Sequence, residues 1–186
     1  MQPWQIIVAL AVILVVGGAL AWFFARRRRS QQLSQQFGPE YHRAVEQRGD
    51  QGVAEEELAT RQKRVAEMEI RPLGAEQQDR YTRDWRRVQA SFVDDPTGAI
   101  AEADRLVTEA MGERGYPMAD FEQRAADVSV NHPTVVADYR AAHAIAGRQA
   151  SSDEVSTEEL RQAMVHYRSL FNDLLETQLV KEAAHA

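Results

Sequence analysis

Cysteine is absent from the 186-residue chain. That removes disulfides, thiol nucleophiles and thiolate metal sites at once. No segment alternates polar and apolar residues over a useful length, and no internal repeat is visible, so neither a sheet nor a solenoid is expected. Dinucleotide GxGxxG, phosphate-loop, GxSxG, HExxH and calcium-loop patterns are all missing. The histidines, His42, His132, His143, His166 and His185, never pair at three- or four-residue spacing, so no single helix offers a metal site. The first 29 residues contain four arginines and no acid, which leaves 18 basic and 28 acidic side chains in the rest, a net of −10. A domain so acidic lacks the basic face that general nucleic-acid binding requires.

What the chain does have is a run from Ile6 to Ala25 of apolar or small residues, followed at once by Arg26, Arg27, Arg28 and Arg29. As a helix it would span roughly 30 Å, the hydrocarbon thickness of a bilayer. Basic residues follow the run instead of preceding it, and Trp22-Phe23-Phe24 stands where a cleavage site would be, unlike a secretory signal. The expectation is a transmembrane helix in a bacterial inner membrane, single-pass, with the N-terminus outside and the remainder cytoplasmic. Trp4 and Trp22, with Arg26 to Arg29, would be its membrane-interface residues, and the lipid bilayer its first partner. Gly17, Ala21 and Ala25 recur every four residues and would suit a helix-dimerising face, although small residues are common in such segments.

About 157 residues follow the arginines, enough for one domain with a real core. Ser30 to Phe37 is glutamine-rich and reads either as a continuation of the first helix or as a short polar stalk ending near 38. Helices are expected at Pro39–Gln47, Val53–Ile70, Ala75–Val93, Pro96–Gly112, Met118–Asp127 and Pro133–Ala146, with a last one beginning after Ser156. Tyr81, Trp85, Val88 and Phe92 form one apolar stripe, and Leu160, Met164, Tyr167, Phe171 and Leu174 another. Asp95 before Pro96 reads as an N-cap, and Ser156 with Glu159 as a capping box. Asn131-His132-Pro133 reads as a further cap and restart. Gly147–Val155 is a polar connection, and 181–186 a frayed tail after a helical domain over 39–180. The fold class is therefore all-α: one N-terminal transmembrane helix, then a small four- or five-helix bundle.

Several polar groupings invite a chemical interpretation, and each has a plainer one. Glu55-Glu56-Glu57 suits the start of a helix and a solvated face better than a metal site. Asp94-Asp95 is explained by capping. The segment Asp120–Asp127 is either a peptide-binding surface or a solvated short helix. Tyr139, His143 and His166 could line a pocket. The Val53–Ile70 helix, with sparse apolar residues, is expected to be largely solvated and to offer an interaction surface.

The segments Trp85-Arg86-Arg87-Val88-Gln89, Phe92-Val93-Asp94-Asp95-Pro96, Arg114-Gly115-Tyr116-Pro117 and Phe121 to Asp127 carry a resemblance. So do Asn131-His132-Pro133 (where Asp would be expected first), Tyr139 to His143, and Leu160 to Tyr167. From Phe37 to about Leu175 the chain resembles a family of uncharacterised bacterial proteins with a single N-terminal membrane span and a helical soluble domain. The resemblance implies placement but no activity, cofactor or catalytic residue. The function expected from the sequence is a membrane-tethered interaction or scaffold module facing the cytoplasm, not an enzyme, with no cofactor or metal, binding another protein. The alternative is a self-associating envelope or stress structural protein, a homo-oligomer. A small-ligand sensor or enzyme comes third.

Overall fold

The computed structural model describes the backbone of residues 3–151 and 154–183, and the side chains of 14, 16–151 and 154–175. Among these residues the chain forms eight helices and no strand. They are α1 (Pro3–Phe37), α2 (Pro39–Arg48), α3 (Gln51–Ala66), α4 (Ala75–Ser91), α5 (Pro96–Glu113), α6 (Phe121–Asn131), α7 (Val136–Ala150) and α8 (Thr157–Ala183).

Local chemistry sets most of the helix starts. Asp50, Asp95 and Asp120 each accept a hydrogen bond from the backbone N–H three residues on, satisfying one orphan donor of α3, α5 and α6. Pro39 and Pro96 occupy the first helical positions of α2 and α5. At α8, Glu159 N–H donates to the Ser156 hydroxyl at 3.2 Å, and Ser156 N–H donates back to the Glu159 carboxylate at 2.9 Å. Helix α7 departs from expectation. It starts at Val136 with no side-chain cap, because α6 runs on through Asn131 and His132 closes it.

Burial follows the apolar stripes. Tyr81, Trp85 and Val88 of α4 pack with Ile100, Ala103, Leu106, Val107 and Ala110 of α5, and with the α8 stripe from Leu160 to Leu174. Trp85 stacks on Phe171 with centroids 4.5 Å apart. Helices α4 to α8 thus form a bundle around one apolar cluster, with α8 laid against both α5 and α7. A second, smaller cluster holds Leu33 and Phe37 of α1, Tyr41 and Ala44 of α2, and Ala54 and Leu58 of α3. Ser30–Phe37 is therefore helical and part of a core, the continuation of α1.

One expectation is overturned. Among the described residues no helix is long and apolar enough to cross a membrane. Four consecutive arginines, Arg26 to Arg29, end the apolar residues of α1, and the rest of that helix, Ser30–Phe37, is polar apart from Leu33 and Phe37, which enter a core. The side chains of 1–13 and of Val15, which include Trp4 and the first part of the Ile6–Ala25 run, lie outside the described residues. The transmembrane helix, and with it the single-pass inner-membrane placement with the N-terminus outside and a cytoplasmic domain, does not stand. The end of the frayed-tail expectation, 184–186, also lies outside the described residues, as do 152 and 153 of the polar connection.

The turn between α5 and α6 is held tightly. Gly115 has φ +97°, and a Cβ there would lie 2.5 Å from the carbonyl oxygen of Glu69. Arg71 N–H donates to Arg114 C=O at 2.8 Å beside it, which seats Leu73 in the larger cluster. Gly115→Ala combines a disfavoured φ with a backbone clash. It should lower unfolding free energy by about 1–3 kcal/mol in urea titration, whereas Gly147→Ala, which meets nothing within 4 Å, should be neutral or slightly stabilising.

Candidate functional site

Two features of the described surface stand out, one apolar and one ionic. The first is the projecting part of α1. Leu14, Val16, Leu20, Trp22, Phe23 and Phe24 are all more than half exposed, Trp22 to 63%. Arg26 lies over the Trp22 ring at 5.5 Å, and Arg26 to Arg29 are exposed. A cleft of about 520 Å³ opens where this segment passes the start of α3, lined by Trp22, Ala25, Arg26, Arg29, Glu55 and Glu56 among others.

Glu55 lies beneath that cleft and is buried, contrary to the expectation of a solvated acidic run. Ser30, Tyr41 and Gln51 all donate to its Oε1, the latter two at 2.9 and 2.8 Å. Burial alone would push the carboxyl up; these three donors and the nearby Arg26 charge outweigh it and hold the group below the ordinary range. Arg26 and Ser30 of α1 are thereby tied to α2 and α3.

The second feature is the seam between α2–α3 and α6–α7. Arg61 and Arg140 have side chains only 9% and 11% exposed, and both donate to Oε1 of Glu40, at 3.1 and 3.2 Å. Arg61 also bonds Glu57, which Arg48 shares, and Arg140 bonds Glu122. Arg64 pairs with Asp127, whose side chain is 1% exposed and which also accepts from Gln123 at 3.0 Å. Burial would raise the Glu57 carboxyl, but Arg48 and Arg61 more than reverse that and lower it. A cleft of about 380 Å³ runs along this seam. The Val53–Ile70 stretch is thus not a solvated helix: Ala54, Glu55, Leu58, Arg61 and Val65 of α3 face inward.

Three histidines, His132, His143 and His166, are paired with aspartates on separate elements. His132 is buried and bonds Asp173 through Nδ1, pinning the α6–α7 junction to α8, so it is more than a cap-region residue. His166 meets Asp138 at 2.9 Å. His143 faces Asp104 at 3.6 Å and stacks on Phe121 with centroids 3.6 Å apart. Tyr167 donates to the same Asp104 oxygen at 2.8 Å. Tyr139 and His143 lie together, with ring centroids 6.5 Å apart, while His166 is held by its own aspartate. Among the described residues no serine or threonine hydroxyl is bonded to these imidazoles. Among the described residues no group of three His, Asp or Glu side chains is placed to hold a metal ion.

Of the residues singled out from sequence for the membrane interface, Trp22 and Arg26 to Arg29 lie together on α1, and the Trp4 side chain is outside the described residues. Asp120 caps α6, whose Ala125 to Ser129 are buried, so Asp120–Asp127 is neither wholly solvated nor a free surface. Sequence reasoning missed Glu40, Arg61, Asp127 and Arg140. A signal existed for Arg61, which shares a helical face with Ala54, Leu58 and Val65 at spacings of four, three and four.

No protein-family model, curated protein or solved structure matches the chain.

Burial would raise the half-buried Asp104 carboxyl. His143 and Tyr167 beside it, with the more distant Arg124 charge, prevail and hold it below the ordinary range. A lowered carboxylate contributes stability that is complete above its unfolded pKa, near 3.8, and that is lost as pH falls through the folded value. Asp104→Asn should therefore destabilise at pH 6 and lose less further stability than wild type between pH 4 and about pH 2.5. Urea midpoints at the two ends check this; parallel losses would show that Asp104 is not a contributor.

Proposed function

We propose that the chain is a non-catalytic helical interaction module whose exposed α1 segment docks on a partner protein. One observation carries this: six large apolar side chains between Leu14 and Phe24 stand exposed on one stretch of a helix whose other end is built into a core. Scattered exposed hydrophobics need no explanation, but a contiguous apolar surface marks an association site. Only Val53, Val93, Met118 and Val165 are similarly exposed elsewhere among the described residues, and they are scattered along the chain. Trp22, Phe23 and Phe24 are the side chains best suited to act as anchors, with large area and few rotors. Arg26 to Arg29 would favour an acidic rim around the partner's apolar groove. The separately paired histidines give no support to a catalytic alternative.

Photo-crosslinking in cells, with a photoreactive residue at Trp22 or Phe24 and at Asp79 of α4 as control, tests this directly. Discrete protein adducts are expected at 22 and 24 and not at 79. Adducts only to a second copy would replace a partner by self-association, and no protein adduct, or the same pattern at all three sites, would overturn the proposal.

A further inference from the structure

The ionic seam holds more than a structural clamp requires. Two guanidiniums, Arg61 and Arg140, are almost fully buried, yet one buried carboxylate, Glu40, lies between them. A buried charge must be neutralised close by. For Arg61 the second counter-charge is Glu57, three-quarters buried and also gripped by Arg48. For Arg140 it is Glu122, whose side chain is 69% exposed while Arg140 is 11% exposed. Glu122 thus reaches from solvent, in the first turn of α6, to a guanidinium at the wall of the 380 Å³ cleft. Arg140 Nε is also buried and has no hydrogen-bond partner. The fixed half of the site is the buried arginine; the carboxylate that completes it reaches in from solvent.

We propose that Glu122 is an internal stand-in, and that the cleft receives the carboxylate of a peptide at Arg140 in its place. Charge selects the ligand class. The cleft is lined by Arg48, Arg61, Arg64 and Arg140 together with Glu57, Asp120 and Glu122, and Glu40 and Asp127 are bonded to the arginines. A ligand carboxylate at Arg140 adds one negative charge, because the displaced Glu122 stays attached at the edge of the cleft. A phosphate dianion would add about twice that charge beside the same carboxylates, so carboxylate is favoured over phosphate. The source is an acidic side chain or a C-terminus. The site is separate from the apolar segment of α1, so the two proposals fail independently.

Fluorescence anisotropy on the full chain tests this with labelled six-residue peptides. One carries glutamates and an amidated C-terminus, one glutamines and a free C-terminus, and one glutamines and an amide. At least one carboxylate peptide should bind saturably, and the first two identify which carboxylate is read. Glu122→Gln, which empties the seat at an exposed position, should tighten that binding by about fivefold, and acetate should compete where equimolar inorganic phosphate does not. Arg140→Lys should weaken it, and circular dichroism melts show whether each variant is folded. Absence of saturable binding to wild type and Glu122→Gln alike would overturn the proposal. So would equal binding of the uncharged peptide, no gain from Glu122→Gln, or stronger competition by phosphate than by acetate.

Discussion

The structure turns on one buried carboxylate. Glu40 of α2 takes a hydrogen bond from Arg61 of α3 and another from Arg140 of α7. It stands between the two apolar clusters, one built by α1 to α3 and the other by α4 to α8. Desolvating three charges is expensive, and only close, correctly aimed partners recover the cost. An apolar seam would tolerate sliding; an ionic seam of this kind fixes angle and register. The Arg64–Asp127 pair, from α3 to α6, reinforces it along the same line. Removing Glu40 would leave two buried guanidiniums facing each other, so the α2–α3 hairpin is held to the bundle by a joint that works only when complete.

This joint explains where sequence was readable and where it was not. Helix α4 was legible because Tyr81, Trp85 and Val88 recur at helical spacing and are buried as such. Asp95, and Ser156 with Glu159, were legible because capping is a local matter between residues three apart. Helix α3 was misread because its inward face includes Glu55 and Arg61, and a count of apolar residues treats charge as solvated. Arg140 lies 100 residues from its partner Glu40, and His132 lies 41 from Asp173, so nothing local announces either pair. The apolar run of α1 was legible as a feature but not in its consequence, since among the described residues no helix is long and apolar enough to cross a membrane, and this one enters a core at Leu33 and Phe37.

The surfaces proposed for binding differ in kind. The α1 segment is apolar, aromatic and non-directional, suited to gaining contact area. The α6–α7 cleft is ionic and directional, suited to reading one functional group. Aspartate–histidine pairs elsewhere join helices across the bundle, with His132 tying α6–α7 to α8 and His166 tying α8 to α7.

The first helix is a single unbroken rod from Pro3 to Phe37, about 50 Å long at about 1.5 Å per residue. No proline interrupts it after Pro3. Its last turns are clamped by Leu33, Phe37 and the Ser30–Glu55 contact. A load applied near Trp22 therefore acts with a lever arm on that clamp, and its torque passes into α2 and α3 and, where α1 touches it, into α6. The Glu40 joint is the pivot against which that torque is resisted, so the rod is mechanically coupled to the seam in which Glu122 and Arg140 meet.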